Sequence, residues 1–234
     1  MSMNATEVRT NGVLFLELKE ASYCASVFGE FNKAWVTGII ENDLTFSHET
    51  SGEKFYATRV SAKRRSGVAD YVPVVISEFQ LNKLQGSSLK GKCVEVGGEF
   101  RSYLKQYEDG QKHLEKYLFV RAINIIEKNQ DVDINVIYLE GILKKAPNFR
   151  ITPFGREITE LYLSVPRMHG GSDMVPCITW GKNALCASKF KPGNKIRIYG
   201  RIQSREYFKR VAPGSEEGKN METHEISVWK IQKV

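Results

Sequence analysis

The stretch Ile196–Arg205 carries the densest chemistry in the sequence. Alternation with period two places Ile196, Ile198 and Ile202 on one side and Arg197, Tyr199, Arg201, Gln203 and Arg205 on the other. The first set reads as a core face. The second is a cationic stripe with an aromatic in it, which suits a groove that follows a phosphate backbone. Tyr207, Phe208, Lys209 and Arg210 follow directly, before an evident Pro213-Gly214 turn. Two adjacent aromatics among cations are unusual on an inert surface. Upstream, Trp180 precedes Lys182, and an aromatic next to arginine offers a π-face for any base to stack on. Packing of Trp180 under the following helical stretch is the alternative reading.

The elements that must hold these residues follow from an internal repeat. Writing residues 35–76 above 138–179, at a constant offset of 103, aligns Gly38/Gly141, Ile39/Ile142, Phe46/Phe149, Gly52/Gly155, Ser61/Ser164, Arg64/Arg167, Gly67/Gly170, Asp70/Asp173, Val72/Val175 and Pro73/Pro176. The glycines and the proline carry most weight, because they fix turn and strand-start geometry. Each copy reads as a first strand (35–41; 137–143), a hairpin leading to a second (55–62; 158–165), a polar turn and a third (71–76; 174–180). A short helical stretch follows (77–85; 182–190), then a fourth and a fifth strand (93–103 and 116–126; 195–207 and 224–231) joined by long polar hairpins. Five strands with a helix between the third and fourth is the layout of a small Greek-key barrel, the OB-fold. The expected fold is therefore all-β with short helices: two tandem five-stranded OB-fold barrels. The expected divisions are an N-terminal extension (1–30), a first, diverged OB-fold (31–128), a linker (129–133) and a second OB-fold (134–234).

In the third strand of the first module, β-branched Val72, Val74 and Ile76 point inward, so Tyr71, Pro73, Val75 and Ser77 face out. The repeat carries this phase to Met174, Pro176, Ile178 and Trp180 and puts Trp180 beside the stripe. The corresponding fourth-strand face of module one reads Glu95, Gly97, Glu99 and Arg101, and its hairpin Tyr103–Tyr107 is milder. Module one is expected to bind a polyanion less well, compensated by Arg59, Lys63, Arg64, Arg65 and Tyr71. The formal net charge of +7 lies in the segment from Trp180 onward, which favours a polyanionic partner.

Other classes find little support. Cys24, Cys93, Cys177 and Cys186 form no C-x-x-C and have no histidine at metal-ligand spacing, so neither metal nor cofactor is expected, and a reducing cytoplasm fits. No signal peptide or membrane-length apolar run is apparent. His48 and Glu49, as neighbours in an extended segment, point to opposite faces. His113, His169 and His224 lack triad partners, and Gly97-Gly98 and Gly170-Gly171 lack the rest of a phosphate loop. Asp131 and Asp133 read as solvated linker carboxylates. No enzyme is expected. Within residues 1–30, Leu14, Leu18, Ala21, Ala25 and Phe28 share a helical face, although Val13–Leu18 suits a strand equally.

The second module can be placed by its motifs. Tyr138-Leu-Glu-Gly141, Arg150-Ile-Thr-Pro-Phe-Gly155, Leu161-Tyr-Leu-Ser-Val-Pro-Arg167, Val175-Pro-Cys-Ile-Thr-Trp-Gly-Lys182 and Gly200-Arg-Ile-Gln-Ser-Arg205 closely resemble the bacterial single-stranded DNA-binding protein family. The match covers residues 134–207, and module one looks like a diverged copy, as in tandem-OB members. The resemblance implies binding of single-stranded DNA without strong sequence preference, in replication, recombination or repair, and assembly of four OB-folds, here as a homodimer. It implies base stacking at Trp180 and Tyr207, within an expected set that also includes Lys182, Arg197, Tyr199, Arg201, Arg205, Phe208, Lys209, Arg150, Arg167, Tyr71, Arg59, Lys63 and Arg64. Two departures stand out. Met174 occupies a position often aromatic in the family. The ending Val228–Val234 is strand-like and basic, so no acidic tail for recruiting partner enzymes is expected. The rival reading is a scaffold that uses OB-folds for oligomerisation or protein docking.

Overall fold

The computed structural model describes residues 31–84, 88–107, 110, 112–127, 132–210 and 218–234, with the side chains of 209 and 210 excepted. The N-terminal segment, most of the expected linker and the Pro213-Gly214 turn lie outside the described residues.

The repeat becomes two runs of strands. The first comprises β1 (Asn32–Ile40), β2 (Thr45–Thr50), β3 (Glu53–Lys63), β4 (Ala69–Ser77), the short helix α1 (Glu78–Asn82), β5 (Cys93–Gln106) and β6 (Lys112–Ile125). The second comprises β7 (Asn135–Leu143), β8 (Asn148–Ile151), β9 (Glu157–Pro166), β10 (Ser172–Trp180), α2 (Lys182–Ala187), β11 (Lys195–Arg210) and β12 (Gly218–Lys233). The hairpin after the first strand thus contributes a short strand of its own, β2 or β8, to each OB-fold.

All twelve strands form one sheet in the order β2-β3-β4-β6-β5-β1-β7-β11-β12-β10-β9-β8. Under the repeat this order reads the same from either end. Its centre is the antiparallel β1–β7 pair, where Ala34 lies opposite Ile137, its own equivalent at an offset of 103. The two modules are therefore related by a pseudo-dyad through that pair. Further pairings, β1 with β3 and β7 with β9, curl each half toward a barrel.

The alternation read from sequence holds where burial is deepest. Val72, Val74 and Ile76 are fully buried, as are Ile196, Ile198 and Ile202. Val75 and Ile178 depart from it: both are buried although their phase is outward, because each stands where its strand pairs with the fifth strand of its own module, Val75 with Phe119 and Ile178 with Ser227. Gly38 and Gly141 lie inside β1 and β7, within the first strands expected from the sequence, and a close approach rather than a turn keeps them glycine. A Cβ on Gly38 would meet Ser61 O at 2.2 Å, and one on Gly141 would meet Ser164 O at 2.7 Å. The repeat preserves these glycines because β1 crosses close over β3, and β7 over β9, there. Gly155, with φ +73°, does serve the expected turn.

Asp133 also departs from its reading. Its carboxylate accepts from Lys63 N–H at 2.9 Å and its own N–H donates to Lys63 O at 2.9 Å, which ties the start of module two to the end of β3.

Candidate nucleic-acid interface

The stripe sits on β11 as expected, with Arg197, Tyr199, Arg201 and Gln203 half-exposed and Arg205 exposed, between buried residues of opposite phase. Tyr199 faces Tyr138 across the β7–β11 pair, ring centroids 5.2 Å apart, and Lys230 Nζ lies 5.4 Å from the Tyr199 ring. Tyr138 was passed over in the sequence. It follows Ile137 on β7, and only the β7–β11 register brings it to the stripe. Trp180 closes β10 and is half-buried, with Nε1 donating to Ser227 Oγ at 3.3 Å. Ser227 is directly opposite Arg201 on β11. Trp180 and the stripe thus share one face with β12 between them, so the indole is separated from the cations by one strand rather than adjoining them. Farther along the β11–β12 hairpin, Tyr207 is half-exposed and Phe208 exposed. Lys209 is placed by its backbone pairing with Lys219.

The cations differ from the sequence reading in one respect. Many are held by carboxylates. Arg197 donates through Nη2 to Glu140 Oε2 at 2.8 Å, and Lys195 bonds the same carboxylate. Hydrogen bonds from Lys195, Arg197 and Tyr138 hold the buried Glu140 carboxyl down at about 2. Arg201 Nε stands 3.4 Å from Asp70 Oδ2 of module one, and burial together with neighbouring Arg64 lowers its pKa from the usual guanidinium value. Arg205 Nε is 3.6 Å from Glu225, and Arg150 Nη2 is 2.8 Å from Glu160. Sequence could not show these partners, since each carboxylate lies on a different strand.

Arg64 and Arg167 each fork onto the buried aspartate six residues ahead, Asp70 and Asp173 respectively, which holds the turns before β4 and β10. Tyr71 lies at the seam between modules. Its N–H donates to Ser204 Oγ at 3.0 Å, its carbonyl meets His224 Nε2 at 3.0 Å, and Arg59 covers its ring at 4.8 Å. Arg59 also lies 3.7 Å from Glu222. Lys63 and Lys182 are exposed, and neither side chain has a carboxylate partner among the described residues.

On module one, Glu99 is not the exposed carboxylate the sequence suggested. It is 4% exposed and ion-paired with Arg101 and Arg121. The hairpin that reads as milder carries Tyr103 and Tyr117 in edge contact at 5.9 Å, with Tyr107 donating to Glu115 at 2.7 Å. Among the described residues no cluster of histidine, cysteine or acidic side chains has the geometry of a metal site, and no helix is long and apolar enough to cross a membrane.

Two curled half-sheets of this strand order, each with a short helix between its third and fourth long strands, define a tandem OB-fold protein. The wild-type single-stranded DNA binding protein from Thermus aquaticus has the same fold, with a TM-score of 0.65 over 87% of this chain and 92% of that one at 19% identity. Residues 134–234 match the Single-strand binding protein family. "Single-stranded DNA-binding protein 2" of Listeria innocua is 35% identical over 81 residues, covering 32% of this chain and 51% of that protein. "Single-stranded DNA-binding protein A" of Bacillus subtilis is 32% identical over 81 residues, covering 32% and 47%. The chain spans about half the length of the curated relatives it matches.

Proposed function

We propose that the chain binds single-stranded DNA without strong sequence preference, by stacking bases on aromatics and neutralising phosphates, in replication, recombination or repair. The observation that carries this reading is the shared outer face of β10, β12 and β11, where Trp180, Tyr199, Arg205 and Tyr207 combine π-faces with cations on a module that matches the Single-strand binding protein family. Modules at 31–128 and 134–234 are the units of this binding. Lys182 extends the face, Phe208 stands on the opposite side of the β11–β12 hairpin from Tyr207, and Lys63 and Arg59 serve module one. Arg64 and Arg167 act by holding the turns before β4 and β10. The same reading makes the chain a homodimer of four OB-folds, and half-exposed Trp35 and Tyr138 on the central strands support a further packing surface there. No catalysis belongs to this reading, and a cytoplasmic location fits it.

The test is a tryptophan-fluorescence titration with long oligo-dT and a matched duplex, at low and moderate salt, beside sedimentation of the free protein. Strong quenching by the single strand alone supports the reading. Equal weak binding to both nucleic acids favours a scaffold.

A further inference from the structure

The outer faces of the two modules differ where β8, β9 and the fourth-to-fifth-strand hairpin meet. In module two, Arg150 is paired with Glu160 at 2.8 Å and Arg205 with Glu225 at 3.6 Å, so four long charged side chains cover the floor made by β9 and β10. Strand pairing identifies their counterparts. His48 lies opposite Phe55 as Arg150 lies opposite Ile158, and Tyr117 lies opposite Arg101 as Glu225 lies opposite Gln203. The offset of 103 matches Ala57 to Glu160, and Tyr103 opposite Glu115 corresponds to Arg205 opposite Thr223. Module one thus has His48, Ala57, Tyr103 and Tyr117 where module two has two ion pairs.

The exchange opens a groove of about 490 Å³ in module one, within the range of small-ligand sites. Ala57, Pro73 and Val75 form an apolar floor, and Tyr103 and Tyr117 stand as a wall. Glu115, whose Oε1 accepts from Tyr107 at 2.7 Å, supplies an acceptor at the rim. Tyr103 is 48% exposed, so its ring is open to a partner. Burial and the nearby Glu115 raise the Tyr103 pKa, which keeps its hydroxyl a donor. Lys116, which also lines the groove, donates through Nζ to Thr223 Oγ1 at 3.0 Å, and Thr223 is opposite Arg205. The groove therefore adjoins the face of module two.

We propose that this groove is a nucleobase pocket, which takes one base of a bound strand against Tyr103 with the base's amino edge donating to Glu115. Apolar floor, aromatic wall and a single carboxylate match a flat ring that carries an exocyclic amine. The pocket favours cytosine over thymine, because thymine lacks that amine. Its role rests on the proposed single-strand binding, yet reverses the sequence expectation that module one is the weaker partner.

The test uses the full chain and a short oligo-dC carrying one 5-iodocytosine, irradiated and mapped by mass spectrometry. Cross-links to Tyr103 or Tyr117 are expected. Ala57→Glu, which fills the floor, is expected to weaken oligo-dC binding about tenfold, and Glu115→Gln to reduce the preference for oligo-dC over oligo-dT. Cross-links confined to Trp180 and Tyr207, with Ala57→Glu binding as the wild type, would overturn the pocket while leaving single-strand binding intact. Failure of the wild type to bind any oligonucleotide would instead remove the reading beneath it.

Discussion

Ser102 and Asp173 meet across the seam between modules: the Ser102 N–H donates to Asp173 Oδ1 at 2.7 Å, 71 residues away in sequence. Its mirror is Ser204 N–H on Asp70 Oδ1 at 3.2 Å. Both aspartates are fully buried, and each already holds the arginine of its own turn. Asp173 also pairs with Arg101 of module one at 3.3 Å. Asp173→Ala would leave buried guanidinium and amide donors without their acceptor. The expected loss is about 3 to 5 kcal/mol, with both modules unfolding in one transition. Urea denaturation followed by hydrogen exchange in each module checks this. Two separate transitions in the wild type would show that the seam does not couple them.

Gly141→Ala tests the close crossing of β7 over β9. The added methyl would lie 2.7 Å from Ser164 O, a backbone atom that cannot rotate away. Shifting the strand is expected to cost roughly 1 to 3 kcal/mol, the range of overpacked cores. Thermal unfolding of Gly141→Ala beside the wild type reads the loss. No measurable loss would mean that the crossing relaxes freely.

Much of this architecture is legible in the chain because barrel strands alternate strictly. Val72, Val74 and Ile76 give the phase of β4, and the repeat transfers it to β10, where Trp180 emerges on the outer side. What sequence could not supply is register between distant strands. Glu140 and Arg197 become partners only through the β7–β11 pairing, so an apparent row of free cations is partly a row of ion pairs. Tyr103 and Tyr117 are separated by a hairpin, and their shared wall appears only once β5 and β6 are aligned. Gly38 and Gly141 were visible as repeated residues, but their reason is a through-space approach.

His224 gives the seam a dependence on pH. It is 9% exposed, and burial, then the charge of nearby Lys116, lowers its pKa from 6.5 to about 4. Arg59 also opposes its charging, whereas Glu115 and the bond to Tyr71 O favour it; Glu222 lies 4.0 Å away. The neutral ring is the folded form, so the unfolded chain takes up the proton first. Stability from this residue is full above pH 6.5 and declines as pH falls toward 4, by about 3 kcal/mol in all. Burial raises the pKa of Glu222 and Glu225, which gives them the opposite slope. The comparison is therefore wild type against His224→Gln in urea at several pH values. A difference between the two that stays constant from pH 7 to pH 4.5 would refute the assignment.

Salt dependence separates binding cations from structural ones. Counting about five phosphate contacts from sequence gives a log-log slope near −3.5 on a single strand. Arg197 is already neutralised by buried Glu140, and Arg201 is directed at Asp70. Lys182 is exposed, and Arg205 is 52% exposed with only a 3.6 Å contact to Glu225. Lys182→Ala and Arg205→Ala are each expected to make the slope shallower by about 0.7, the release for one phosphate. Arg197→Ala is expected to leave the slope nearly unchanged and to lower stability, because Glu140 loses a partner. Oligo-dT affinities from 50 to 300 mM salt, on the order used for such slopes, decide it. A slope change at Arg197 equal to that at Arg205 would mean that a bound phosphate displaces Glu140, and that the ion pairs on this face yield to the strand.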